Sequence, residues 1–592
     1  MPTSVSAGLR GSSACLALLL TVSVIAGGCR RPSTVDGVDV SSSVARLGIQ
    51  SIDSTAIRAR TAFLSSDFTE GRAPGTRGGR LAAAYIASEF AAAGLRPGND
   101  TSYFQPVTFV GVTPHPELDF QSADGRSRYS PGYLDDYVAW TPRQEGQVAF
   151  SGDVVFVGYG IDAPEYDWND YAGADVKGKI LLGLVNDPGG TGGSKKFRGD
   201  TLTYYGRWTY KYEEAARLGA AGMILIHTPE SAGYGWSVVR NSWSGEQFEI
   251  PNEPGDYHEA LEAWVTEAAA RRLLGLAGVS LDSLTAAARR PGFTAKPLPL
   301  HATGSIRSDV ERTTSANVVA LVFGRDSTLR DQVVVYTSHY DHLGIGAPEN
   351  GDAIYNGAKD NASGTSAIIE LARAYQRLPE RPRRSVLLAA VTGEESGLLG
   401  SAYLARHPPY GHFVADINMD AINMYGRTSD MVELGGEYSS LGDVFQELTG
   451  YLGLDARGDQ SPGQGHFFRS DQFSFVKRGV PSLYVEQGVD YVGEPAGTGE
   501  TREETYRKER YHQPDDEMMP EYTMGGAAQQ TQVAFLLGWV AANAPRPPVW
   551  KPGSPFAPAS DTASTGPGAG QASPGSATGG GAASGDSASG GS

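Results

Sequence analysis

Cysteine is nearly missing from this chain: there are two, Cys15 and Cys29, both near the N-terminus. No internal disulfide framework is open to the rest of the sequence, so its stability has to come from burial and hydrogen bonding. Positive charge is also short. Lys and Arg total 49 against 67 Asp and Glu, a formal net charge of −18. That balance argues against nucleic acid as a partner, because phosphate binding needs a basic surface. Beyond the first segment no apolar run is long enough to read as a membrane-spanning helix. What is present is ordinary globular material, 40% hydrophobic and 20% charged, over a length that suggests roughly three or four domains.

The ends read differently from the middle. Arg10 supplies a short positive start, and Leu16 to Ile25 is an apolar run of signal-peptide length, followed by Ala26-Gly27-Gly28-Cys29. Residues 1–28 therefore read as a secretory signal. The Ala-Gly-Gly-Cys run resembles the lipobox of bacterial lipoproteins. That resemblance implies acylation of Cys29, attachment to a membrane through the lipid and, with Arg30 following, an outer-membrane place in the cell envelope. Residues 29–50 are polar and are expected to act as a tether. At the other end, residues 546–592 turn to Gly, Ser, Ala, Pro and Thr, a composition that cannot bury a core and predicts disorder.

Between these ends, residues 51–134 carry helical periodicity, clearest over Gly78 to Ala93 with Leu81, Tyr85, Ile86 and Phe90 on one stripe. From 135 to 300 short β runs alternate with Gly-rich turns. Val157-Gly158-Tyr159-Gly160, Val176-Lys177-Gly178-Lys179-Ile180 and Gly219-Ala220-Ala221-Gly222 make this block similar to a protease-associated domain, which implies an inserted β-rich unit beside a cleft. From 301 to 545 strand-then-helix units repeat. The expected fold is α/β, a mixed, mostly parallel sheet with helices on both faces.

Polar residues of interest fall where strands end, and in such sheets ligands bind beyond the carboxyl ends of the strands. Five places stand out: Ser338-His339-Tyr340-Asp341-His342; Lys359-Asp360-Asn361-Ala362-Ser363-Gly364; Gly393-Glu394-Glu395-Ser396-Gly397; Asn418-Met419-Asp420; and Tyr511-His512. Each alone has an ordinary reading as a satisfied histidine, a helix cap or a turn acid. Together they offer imidazole and carboxylate donors for metal, and Asp341 stands two residues from His339, where a carboxylate can orient a metal-bound imidazole. Adjacent glutamates at a sharp turn can divide metal binding from proton transfer.

The ordered set His-x-Asp, Asp-Asn-x-Ser-Gly, Gly-Glu-Glu, Asn-x-Asp and Tyr-His resembles family M-28, the co-catalytic dizinc exopeptidases. The resemblance implies two Zn2+ ions. His339 and Asp420 would bind one and Glu395 and His512 the other, with Asp360 bridging both. It further implies Glu394 as general base and a peptide or protein substrate, most simply cleaved as by an aminopeptidase. Tyr511 is expected as an extra oxyanion donor or a packing group. A glutamate carboxypeptidase-like hydrolase, a cyclase using one zinc and a receptor-like protein with a decayed site are the alternatives. Gln472 stands where relatives often carry His, which puts substrate contacts rather than metal binding in question.

Overall fold

The computed structural model describes residues 33–189, 196–232 and 235–557. The signal segment, the Cys29 box and the chain beyond 557 lie outside the described residues. Three helices open the fold: α1 (Ser43–Gln50), α2 (Ser54–Leu64) and α3 (Arg77–Ala92). Each starts on a side chain that accepts from a backbone N–H one turn in. Ser42 accepts from Ala45, Asp53 from Thr55 and Thr76 from Gly79, which satisfies donors that the helix itself leaves orphaned.

The strands follow: β1 (Phe104–Ser122), β2 (Gln147–Phe156), β3 (Ile180–Leu184), β4 (Gly222–His227), β5 (Leu261–Thr266), β6 (Lys296–Val322), β7 (Gln332–His339), β8 (Ser385–Val391), β9 (His412–Asn418), β10 (Asp430–Leu434) and β11 (Ser482–Glu486). Hydrogen bonds join them in the order β10-β11-β9-β7-β8-β6-β2-β3-β4-β5. β7 is parallel to β8 and to β9, and β9 to β11, while β6 and β10 run antiparallel to their neighbours.

Side chains alternate across this sheet, and each face has its own helices. Val334 and Tyr336 of β7, with Val386, Leu388 and Ala390 of β8, face a core shared with α1 to α3, α4 (Gly364–Arg377) and α5 (Gly525–Asn543). Val333, Val335, Leu387, Ala389 and Val391 point the other way, onto Leu404 and Phe475. The expected mixed, mostly parallel sheet covered on both faces is what forms.

Three boundaries move. Residues from 33 onward are folded rather than a tether: Val35, Val38, Val40 and Ala45 are buried in the main core. Gly48 lets α1 lie against α5, because a Cβ there would come within 2.0 Å of the Phe535 ring. The inserted unit is wider than 135–300, since Val110, Val112, Leu118 and Phe120 of β1 and Ile306 of β6 belong to its cores. It is also α/β in character, with β2 to β5 mutually parallel and helices at Trp208–Arg217 and Glu267–Leu276. Finally, the chain after 546 is ordered as far as Phe556, which packs with Trp550 on Tyr438, Phe467 and Phe473.

Candidate metal centre

His339 is the last residue of β7, the Glu394-Glu395 pair follows β8, and Asp420 follows β9. Adjacent parallel strands thus deliver these groups to the same edge of the sheet. Gly393 makes the turn after β8 with φ 70°, a conformation in which glycine avoids strain. Gly364 lets the loop bearing Asp360 press against β9, for a Cβ there would meet the Met419 carbonyl oxygen at 2.4 Å. Asn361 pins the same loop, its amide donating to Ser338 Oγ and to the Met419 carbonyl and its oxygen accepting from the Gly364 and Ala421 N–H groups.

All five expected ligands converge. His339 Nε2 lies 3.2 Å from Asp360 Oδ1 and 3.2 Å from Asp420 Oδ1. His512 Nε2 lies 3.3 Å from Asp360 Oδ2 and 3.1 Å from Glu395 Oε2. The two oxygens of Asp360 therefore address two different imidazoles. Donor atoms of His339, Asp360 and Glu395 sit within 4.8 Å of one another, as do those of His339, Glu394 and Asp420. Glu394 Oε2 is 4.0 Å from His339 Nε2.

These spacings suit zinc. With metal–ligand bonds of about 2.0–2.1 Å, the edge of a coordination tetrahedron is about 3.3 Å, close to the four separations above. His512 Nε2 adds a second sign: the atom is buried and makes no hydrogen bond, although two carboxylate oxygens stand near it. The donor set also carries more acid than imidazole can neutralise, and divalent cations are the ordinary resolution of such a site.

The electrostatics follow from that crowding. Burial drives the Glu394 carboxyl well above its ordinary range, with neighbouring Glu395 and Asp420 adding to the push. Burial would raise Glu395 as well, but His512 and His342 outweigh it and hold that carboxyl at about 2. Asp341 is pushed up to about 6, chiefly by burial.

Asp341 does not orient His339 as expected. The His339 Nδ1 hydrogen-bonds the Asp341 main-chain carbonyl at 3.2 Å, while the nearer carboxylate oxygen is 4.0 Å away. That carboxylate instead accepts the Glu394 N–H at 3.2 Å, bracing the turn that carries the glutamate pair. Tyr511 stacks on the His512 ring, centroids 3.9 Å apart, and keeps its side chain half in solvent. Gln472 is buried and donates to the Phe467 carbonyl while accepting from Asn418, a bracing role one strand behind the ligands.

Supporting residues escape a reading by motif. His342 Nδ1 is 2.6 Å from Glu395 Oε1; its place in the His-x-Asp-His run was the available signal. Ser470 Oγ donates to Asp420 Oδ2 at 2.7 Å. Asp516 accepts the N–H groups of Lys359 and Asp360 and the Tyr506 hydroxyl. Arg72, wholly buried, donates to the carbonyls of Leu64, Tyr340, Asn356 and Gly357, and burial lowers its guanidinium to about 10. Nothing local in sequence marks Arg72, since its partners lie in other loops.

Against known proteins, residues 317–536 match the model of Peptidase family M28. A probable zinc metalloprotease of Leptosphaeria maculans is 45% identical over 91 residues, 15% of this chain and 20% of that protein. Leupeptin-inactivating enzyme 1 of Streptomyces exfoliatus is 24% identical over 37% of this chain and 47% of its own. The chain thus spans only about a fifth of the length of the first of these relatives. An aminopeptidase from Aneurinibacillus sp. strain AM-1 superimposes with a TM-score of 0.45 at 18% identity, over 84% of this chain and 96% of its own.

Proposed function

We propose that the protein, whose residues 317–536 match the model of Peptidase family M28, is a zinc-dependent exopeptidase acting as an aminopeptidase on peptide or protein substrates. The observation that carries this reading is the division of Asp360, one oxygen toward His339 and the other toward His512. His339 and Asp420 would hold one zinc, Glu395 and His512 the second, and Asp360 both. When bound, the two ions would supply Lewis acidity at the scissile carbonyl and at the attacking water.

The chain's own groups do the rest. Glu394 takes a proton from the attacking water and hands it to the leaving amine. Its burial raises proton affinity toward the range such a relay needs. Asp341 holds the Glu394 backbone in place. Tyr511 stacks on His512, and its hydroxyl is our candidate extra donor to the oxyanion. The inserted unit, in this reading a protease-associated domain, covers one side of the cleft.

Glu394→Ala tests the assignment. It should keep about two zinc ions per chain while losing about 10³-fold in kcat, the scale of a lost general base. Full activity in that variant would refute the role, and a metal content near zero in the native protein would refute the site. Digestion of a peptide library by the zinc-loaded protein shows which terminus shortens; shortening from the carboxyl end would replace aminopeptidase with carboxypeptidase action. We also propose export and lipid attachment at Cys29, supported by Leu16 to Ile25 and the Ala-Gly-Gly-Cys run. The intact mass of the mature protein decides it: a chain starting at an unmodified residue would end that proposal.

A further inference from the structure

Where the inserted unit meets the peptidase segment, a cavity of about 690 Å³ opens beside the turn that carries Glu394 and Glu395. Ser396, Gly397 and Leu399 form its floor. Apart from Ala402 and Lys477, its other walls come from the inserted unit, and their chemistry is uneven in a way that the proposed metal chemistry does not use.

Three carboxylates of the wall, Glu249, Glu259 and Glu262, take part in no ion pair among the described residues. Lys477 shares the cavity but is bound to Glu213 at 2.8 Å. Arg217, also at the wall, is bound to Glu214 and Asp162. Arg143, whose charge acts on Glu259, spends its Nε on the His258 carbonyl at 3.0 Å. Glu259 is only 1% exposed, and its Oε1 meets no hydrogen-bond partner. A carboxylate held this way is expensive unless something cationic reaches it. Consistent with that, burial pushes Glu249 and Glu259 each up to about 7.

Aromatic rings stand beside these acids. Trp140, Trp208 and Trp243 line the same cavity. The Trp243 ring lies edge-on to the other two at 6.4 and 5.8 Å between centroids. Trp140 Nε1 donates to Glu262 Oε2 at 2.9 Å, which fixes that carboxylate against an indole. A cavity lined by both carboxylates and indole rings suits an organic cation, which pairs with the acid and is attracted to a ring face.

A bare metal ion fits less well. Among the described residues, three donor atoms come within 4.8 Å of one another only at the His339 groups, so these glutamates are too dispersed to chelate one ion. A long side chain ending in a guanidinium or ammonium suits dispersed acids and flat rings together.

We propose that this cavity is the subsite for the cationic side chain of an arginine or lysine in the substrate, and that Glu259 and Glu262 make the protein selective for such residues beside the scissile bond. This rests on the peptidase reading given above.

Two measurements separate the two ideas. In the first, zinc-loaded protein is assayed on arginyl, lysyl and norleucyl anilides, the last being the uncharged chain of matching length. The expected kcat/KM for the basic residues is at least tenfold above that for norleucine. Glu259→Gln and, as a second variant, Glu262→Gln should each cut that ratio at least tenfold. In the second, agmatine is titrated into zinc-stripped full-length protein and followed by tryptophan fluorescence. Saturable quenching is expected in the native chain and at least tenfold weaker binding in Glu259→Gln. Hydrolysis without basic preference, or a ratio untouched in both variants, overturns the subsite. So does the absence of agmatine binding. Agmatine binding with no hydrolysis of any anilide sustains the cavity and sinks the peptidase reading instead.

Discussion

Asp516 shows how much of a metal site is built from residues that never touch the metal. Fully buried, it accepts the N–H groups of Lys359 and Asp360 at 3.1 Å each and the Tyr506 hydroxyl at 3.1 Å. The loop presenting Asp360 is therefore held by this side chain as well as by Asn361. Lys359 reinforces it from the far side through an ion pair with Glu503 and a stack on Tyr506. Asp516→Ala would leave two buried N–H donors unpaired, at about 1–3 kcal/mol each, and would free Asp360 to wander. We expect zinc affinity, measured by competition with a chelator, to fall by roughly 10–100-fold, as for other supporting-shell losses. Asp516→Asn, which keeps an acceptor oxygen, should lose less. Unchanged affinity in the alanine variant would mean that the loop is held by other contacts.

At the level of elements, legibility tracked how local the cause is. The Val333-Val334-Val335 run and the Ser385-to-Val391 run announced β7 and β8, and the ligands sat at their ends, because strand burial and ligand placement are both written within a few residues. The helix expected over Gly78 to Ala93 forms over Arg77–Ala92 for the same reason. What stayed hidden depends on distant partners. β1 and β6 pair from Phe104↔Val318 to Ser122↔Leu300, and only that pairing turns two polar-speckled stretches into long strands spanning both units. Residues 33–50 read as a polar tether because their apolar side chains are thinly spread in sequence; the partners of α1 are on α4 and α5. The hydrogen bond between His339 and the Asp341 carbonyl rather than the carboxylate is a matter of backbone path, below what residue type can tell. Arg72 belongs to the same class, since four carbonyls from three separate stretches of chain define its place.

On the scale of the whole molecule, the joint between the two units depends on a segment that composition had assigned to the tail. Trp550 Nε1 donates to the Gly479 carbonyl at 2.9 Å, and the Lys551 N–H donates to the Tyr438 carbonyl at 2.8 Å. Phe556 closes the cluster over Tyr438, 5.1 Å between ring centroids. On its other side the cluster reaches the inserted unit. Phe473 lies 4.6 Å from the Tyr204 ring, and the Tyr438 hydroxyl accepts from Arg198 at 2.7 Å. Residues 549–557 thus form a strap on the peptidase segment beside its contacts with the inserted unit. Stripping two large aromatic side chains from such a cluster should cost about 3–5 kcal/mol, the range for deleting buried aromatic groups. A chain ending at residue 548 should then melt roughly 3–4 °C below one ending at 557, as read by scanning calorimetry. Because Lys477, which lines the proposed basic-side-chain cavity, lies over Tyr204 and Phe473 of this cluster, the shorter chain should also bind agmatine more weakly at temperatures where both remain folded. Equal melting temperatures for the two chains would show that the strap merely lies on the surface.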